Sequence, residues 1–179
     1  AFLLNRSSDL RLGKENNSLY IADGQRFSKT KTNVLPISLK NEDDILGFQF
    51  DVVLPKGMTL ALDDEDDYSV SGENVRAKNH SLSCNVLGDG TIRIVGTNLS
   101  NKKIASGDGI LLNMGINVAS WVENGDYAIQ LKEVKVTNTA RQTLTCSNKS
   151  FMVTVGGKLG DVNHDEAVDV TDAVLIIDH

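Results

Sequence analysis

The stretch ILLNMGINV, residues 110–118, decides the class of fold because its apolar residues recur at every second position. Successive side chains of a β-strand point to opposite faces, so a period of two places one face on a core and the other in water. The apolar positions are Ile110, Leu112, Met114, Ile116 and Val118. The stretch therefore predicts a long strand in a sheet with one covered face.

The same alternation continues on both sides of this stretch. Strands are predicted at residues 18–22, 35–39, 46–54, 58–62, 82–86, 92–94, 127–136, 143–146 and 151–155. The segments 55–57, 88–90 and 125–126 carry glycine beside proline or aspartate and predict turns, and a bulge is expected near Glu133. Nine or ten short strands, with no helical period before residue 170, predict an all-β, antiparallel two-sheet jelly-roll sandwich.

Length and charge narrow the classes of partner. The chain has 179 residues, 40% of them hydrophobic and 23% charged, and a formal net charge of −6. An acidic protein is a poor ligand for nucleic acid or an anionic membrane surface. No run of eighteen apolar residues occurs, so we expect no membrane-spanning helix.

The two cysteines, Cys84 and Cys146, leave two readings open. They can form a single disulfide bridge, or they can be two small buried hydrophobic residues. Because each cysteine alternates with an apolar neighbour, Leu82 and Leu144 respectively, the second reading is favoured.

The last twenty residues, GDVNHDEAVDVTDAVLIIDH at 160–179, carry the clearest chemical motif. Oxygen-bearing side chains recur at positions 1, 3, 5, 9 and 12 of a twelve-residue loop, and position 7 supplies a backbone carbonyl. Ca²⁺ takes six to eight oxygen ligands in this spacing. The predicted calcium ligands in the loop 161–172 are Asp161, Asn163, Asp165, Ala167, Asp169 and Asp172.

A short helix is predicted to follow the loop, with Asp169 as its N-cap. Its apolar residues point to several sides, and an exposed helix would not carry so many. We therefore expect it to pack on its own sandwich or on a neighbouring chain, with Val174, Leu175 and Ile177 as the partner-binding residues.

This tail resembles one repeat of a type I dockerin, which would make residues 157–179 a half module. Glu166 stands at a loop position where dockerins carry glycine, and a second repeat is lacking. The body, residues 18–156, resembles a cohesin module in the segments VLPISL, GFQFDVVLPKGM, GDGILLNMGINV and NGDYAIQLKEVKV, after an N-terminal extension or linker at 1–17. Cohesin-like modules followed by a dockerin-like repeat are typical of secreted and surface proteins of gut Bacteroidetes.

The resemblance implies a non-catalytic bacterial module, secreted or at the cell surface, for calcium-dependent protein–protein assembly or attachment. The sequence contains no GxSxG, HExxH or Cys/His motif, so no catalytic motif indicates an enzyme. The alternative is a carbohydrate-binding module or an accessory domain of a polysaccharide-degrading enzyme, with Trp121 as the candidate sugar-stacking residue. The acidic run at residues 63–67 is expected to be a solvated loop.

Overall fold

The structure is a computed structural model that describes residues 16–157 and the single residue Val170. Apart from Val170, the predicted calcium loop at 161–172 lies outside the described residues, and so do its six ligands. The predicted partner-binding residues Val174, Leu175 and Ile177 lie outside them as well. The following paragraphs concern the body of the chain.

Twelve β-strands make up the described part of the chain. They are β1 (Asn17–Tyr20), β2 (Arg26–Phe27), β3 (Asn33–Asn41), β4 (Ile45–Val53), β5 (Met58–Leu60), β6 (Val70–Ser71), β7 (Ser81–Val86), β8 (Ile92–Thr97), β9 (Gly107–Val118), β10 (Gly125–Asn138), β11 (Thr143–Thr145) and β12 (Lys149–Val155). The two-residue strands β2 and β6 are too short to show an alternation, and the sequence did not predict them.

The strands form two sheets. The five-stranded sheet has the order β1-β3-β9-β5, with β6 also beside β9. The seven-stranded sheet has the order β2-β12-β10-β4-β8-β7, with β11 also beside β10. The described pairs are antiparallel except for β2 with β12, which is parallel. The prediction of an all-β, two-sheet sandwich is confirmed, and its purely antiparallel form is corrected by this one pair.

The core lies between the two sheets because each contributes one apolar face. Fully buried side chains of the five-stranded sheet include Leu35 and Met114, and those of the seven-stranded sheet include Phe50, Ile94 and Leu131. Within each strand they alternate with residues of the outer face, as the period of two predicts. The alternation therefore determines which side chains lie on the outer faces of the two sheets.

The prediction that Ile110 points into the core is wrong. Ile110 is 39% exposed, whereas its neighbour Leu111 is fully buried. The register between β3 and β9 shifts between Ile37 and Ser38, so an extra residue enters β9 and reverses the alternation there. The Leu111 carbonyl accepts a hydrogen bond from the Ala77 amide at 3.0 Å.

The bulge predicted near Glu133 is confirmed. The register between β10 and β4 shifts between Lys132 and Lys135, and Glu133 has a φ of 48°. The turn predicted at residues 125–126 is wrong because these residues begin β10. The chain reverses before them, where the Val122 amide donates to the Ala119 carbonyl at 3.0 Å.

The cysteines are not bridged. Cys146 is buried and Cys84 is half-buried, and neither forms a disulfide. Burial raises the pKa of the Cys84 thiol to about 11. The interpretation of two small buried residues is therefore confirmed for Cys146, and Cys84 packs half-buried against the core. Among the described residues, no helix is long and apolar enough to cross a membrane.

Candidate partner-binding face

The outer face of β10, β4, β8 and β7 presents polar side chains in register. Because Phe50 and Val52 point into the core, Asp51 between them points outward. The strand register places Lys132 of β10 and Arg93 of β8 on either side of Asp51, and Asn85 of β7 beyond Arg93. Four adjacent strands thus contribute one row of side chains, and we call this surface the docking face.

An ion pair lies at the centre of the row. Arg93 donates from Nε to Asp51 Oδ1 at 2.8 Å and from Nη2 to Asp51 Oδ2 at 2.7 Å. Asp51 is only 5% exposed, so water cannot replace these two bonds easily. The hydrogen bonds to Asp51 raise the pKa of Arg93 above its usual value. The two parallel bonds fix the guanidinium plane against the sheet.

A second row runs parallel to the first, one pleat along the strands. The register places Lys135, Gln49, Val95 and Ser83 side by side on β10, β4, β8 and β7. Lys135 Nζ lies 3.9 Å from Glu133 Oε2, and both side chains are largely exposed. Lys132 and Lys135 thus lie along β10 at the margin of the docking face, and the Glu133 carboxylate partly offsets the charge of Lys135.

A different arginine lies against the five-stranded sheet. Arg76 donates to the backbone carbonyls of Leu39 and Ala105, and to Asn41 Oδ1 at 2.7 Å. Nearby, the Tyr20 hydroxyl donates to Asp108 Oδ1 at 2.6 Å, and this bond raises the pKa of Tyr20. Arg76 is therefore committed mainly to backbone atoms of β3 and of the segment before β9.

Trp121, the candidate glycan-binding residue, lies in the loop between β9 and β10 and is 63% exposed. Lys56 Nζ lies 6.0 Å from its ring centroid, which is a cation–π distance. A Cβ added to Gly57 would come within 2.7 Å of the ring atom Cη2. The ring thus rests on the turn at residues 55–57, and the glycan role stays a prediction.

The acidic run is organised as a turn. The Asp63 side chain accepts hydrogen bonds from the backbone amides of Glu65 at 2.9 Å and Asp67 at 3.0 Å. Leu62 and Tyr68 form a β-bridge on either side of the run. Within the described part of the chain, no group of three or more His, Cys, Asp or Glu side chains could hold a metal ion.

Sequence reasoning missed the Asp51–Arg93 pair. The one signal was a pair of opposite charges at outward positions of two predicted strands. The two residues are 42 positions apart, and only the pairing of β4 with β8 brings them together.

Solved structures were compared with this fold. The fold is that of a cohesin module. The cohesin module of a family 33 glycoside hydrolase from Clostridium perfringens ATCC13124 matches with a TM-score of 0.62 at 10% identity, over 78% of this chain and 96% of that chain. A non-cellulosomal cohesin from the hyperthermophilic archaeon Archaeoglobus fulgidus matches with a TM-score of 0.63 at 14% identity, over 85% and 99%.

A third cohesin was solved together with its partner, in a type I cohesin–dockerin complex from Clostridium thermocellum. It matches with a TM-score of 0.58 at 17% identity, over 78% of this chain and 99% of that chain. No protein-family model and no curated protein matches the sequence significantly. At these identities the structures share the fold of this chain, and the sequences have diverged widely.

Proposed function

We propose that this chain is a protein–protein assembly module that binds a dockerin-type partner through the docking face. The observation that carries the proposal is the cohesin fold of residues 16–157, together with a fixed row of charged and polar side chains on one sheet. Cohesins of this fold occur in complexes with dockerins from Clostridium thermocellum and Acetivibrio cellulolyticus. We infer no catalytic activity for the module.

The docking face is pre-organised and suits an acidic partner. The Asp51–Arg93 bonds hold Arg93 in one orientation, so little side-chain entropy is lost when a partner contacts it. The face carries three basic side chains, those of Arg93, Lys132 and Lys135, against the two carboxylates of Asp51 and Glu133. A calcium-loop module carries several carboxylates, and complementary charge speeds association and selects the partner.

The second part of the proposal concerns calcium. Asp161, Asn163, Asp165, Asp169 and Asp172, with the carbonyl of Ala167, would bind Ca²⁺ in the tail of this same chain. Binding would order the following segment, so that Val174, Leu175 and Ile177 pack on the sandwich or on a neighbouring chain. Millimolar calcium outside the cell fits a secreted or surface-attached protein.

The partner is tested by calorimetry with a purified type I dockerin in calcium-containing buffer. The double variant Lys132→Glu/Lys135→Glu is expected to bind at least about tenfold more weakly, because two attractive charges become repulsive. Lys40→Glu, on the opposite sheet, is the matched control and is expected to bind as the parent does. Equal weakening by both variants would remove the docking face from the proposal.

The calcium site is tested separately by titrating Ca²⁺ into EDTA-treated protein. The parent chain is expected to release or absorb heat with a single-site profile, and Asp161→Ala is expected to lose it. Identical heats from the two proteins would show that the loop is not the site.

A second candidate function, carbohydrate binding, is favoured by the exposure of Trp121 at one end of the sandwich. An exposed indole ring supplies the apolar platform on which a sugar ring stacks. The experiment for this candidate is given with the predictions below.

A further inference from the structure

Strand β7 ends the seven-stranded sheet, and its outer edge has no strand beside it in the part of the chain that the structure describes. The Leu87 amide donates to the carbonyl of Thr91, the residue before β8, at 2.8 Å, which places residues 87 and 91 in a hydrogen-bonded pair that continues the β7–β8 register. Backbone groups of an antiparallel strand alternate in direction. The N–H and C=O groups of Leu82, Cys84 and Val86 therefore point away from β8.

Strand β7 itself lacks the features by which proteins usually protect exposed strands. The sequence of β7, SLSCNV, contains no charged residue and no proline. Its register with β8 is continuous from Ser81 opposite Thr97 to Val86 opposite Ile92, so no bulge turns the edge away. An uncharged edge strand of regular register is a template for another strand.

A groove runs beside the edge. It has a volume of about 340 Å³ and is lined by Asp63, Asp67, Tyr68, Val70, Leu82 and Cys84. The side chains of Leu82 and Cys84 point toward the core side of the sheet, and Val86 on the same side is 43% exposed. On the far bank lie Asp63, Asp67 and Tyr68. The groove can therefore take the side chains that a strand added to β7 points toward the core side of the sheet.

The negative charge on the far bank of the groove determines which ligand is favoured. Residues 63–67 are five consecutive carboxylates, and Asp63 and Asp67 face the groove. A second copy of this chain would bring the same carboxylates and an uncharged β7, so it is disfavoured by like-charge repulsion. A peptide with lysine or arginine is favoured.

We propose that β7 binds an extended peptide by antiparallel strand addition, with basic side chains at alternate positions in the groove beside Asp63 and Asp67. In this register the basic residues lie opposite Leu82, Cys84 and Val86 and exchange backbone hydrogen bonds with them. The interaction uses the edge of the sheet, whereas a dockerin-type partner would use the docking face. A second partner could then bind at the same time.

The probe is the capped synthetic peptide Val-Lys-Thr-Lys-Val-Lys-Val, titrated into the full chain and followed by calorimetry. We expect saturable binding to the parent chain. Methylation of the three lysine backbone amide nitrogens is expected to weaken binding at least about tenfold, because those N–H groups would face β7. Methylation at the threonine and the central valine is the matched control and is expected to change little. No binding of the parent peptide, or equal effects of the two methylation patterns, would overturn the proposal.

The charge preference has its own controls. A peptide with glutamate in place of lysine is expected to bind at least about tenfold more weakly, and Asp67→Lys is expected to reduce this preference. Cys84→Pro removes one outward N–H and no bond to β8, so it is expected to weaken peptide binding. If that variant does not fold, the methylated peptides still decide. The Lys132→Glu/Lys135→Glu variant is expected to bind the peptide as the parent does, and a peptide preference that ignores charge would contradict the assignment of the groove.

Discussion

Arg93 and Arg76 contact opposite sheets and bond to different kinds of atom. Arg93 forms two bonds to one carboxylate, that of Asp51, on the outer face of the seven-stranded sheet. Arg76 bonds mainly to backbone carbonyls, among them those of Leu39 and Ala105, beside the five-stranded sheet. Carbonyls have fixed positions in the chain, whereas a carboxylate can lose its charge or be replaced. We infer that Arg76 stabilises the fold alone, whereas Arg93 both neutralises the buried Asp51 carboxylate and lies on the proposed docking face.

The largest effect on stability is expected from Arg93→Ala. The substitution leaves the buried Asp51 carboxylate without its partner, and the melting temperature should fall by roughly 10 °C. Asp51→Ala should cost less, because the Arg93 side chain is 38% exposed and can turn into water. Thermal unfolding of both variants measures the difference, and a larger fall in melting temperature for Asp51→Ala would contradict this prediction.

Arg76→Ala is expected to lower the melting temperature by about 5 °C, because the carbonyls of Leu39 and Ala105 lose a charged donor. Arg76→Lys should recover part of this loss, since one ammonium group cannot reach all the acceptors of a planar fork. Affinity for a type I dockerin should stay unchanged in both variants. A loss of dockerin affinity without a loss of stability would assign Arg76 to recognition.

A smaller, pH-dependent effect is expected at His80, which packs against the seven-stranded sheet. Its Nε2 lies 3.1 Å from the Leu46 carbonyl, and its ring lies 6.0 Å from that of Phe48. Burial lowers the pKa of His80 below its usual value of 6.5. The folded state therefore accepts a proton less readily than the unfolded state does.

The sign of the pH dependence follows from this difference. The contribution of His80 to stability is fully present above the unfolded-state pKa of 6.5 and is lost as pH falls toward the folded-state pKa. We expect the melting temperature of the parent to drop by a few degrees more than that of His80→Gln between pH 7 and pH 5. Thermal melts at several pH values measure this, and parallel curves for the two proteins would contradict it.

The smallest effect on stability is expected from Trp121→Ala, because the ring is largely exposed. The sharper measurement is binding to a glycan array. If the chain binds sugars through this end of the sandwich, the substitution should lower affinity about tenfold while dockerin binding is kept. Glycan binding that survives Trp121→Ala would move any sugar site away from the 119–124 loop.

The sequence predicted the sandwich well because alternation is a local property. β4 and β9 each bury one face, and their apolar residues recur at every second position. The reversal at Ile110 could not be predicted, because the bulge exists only in the pairing of β9 with β3. β2 could not be predicted either, since two residues have no period.

The docking face was beyond sequence reasoning for a related reason. Asp51 reads as an ordinary outward residue until the register of β4 with β8 sets it opposite Arg93. Strand order in a sandwich depends on non-local pairing, and the connections of β4 with β8 and of β4 with β10 span many residues. The calcium motif is the opposite case, because its ligand spacing is contained in twelve consecutive residues.

Trp121 also gives the protein a built-in optical reporter. It is the one tryptophan of the chain, and its ring lies so close to Gly57 that a Cβ there would clash. Intrinsic fluorescence therefore reports the docking of the 119–124 loop on the 55–57 turn. Release of that loop would change the emission spectrum even while the rest of the sandwich stays folded, so optical and calorimetric transitions that fail to coincide would reveal local opening at this end.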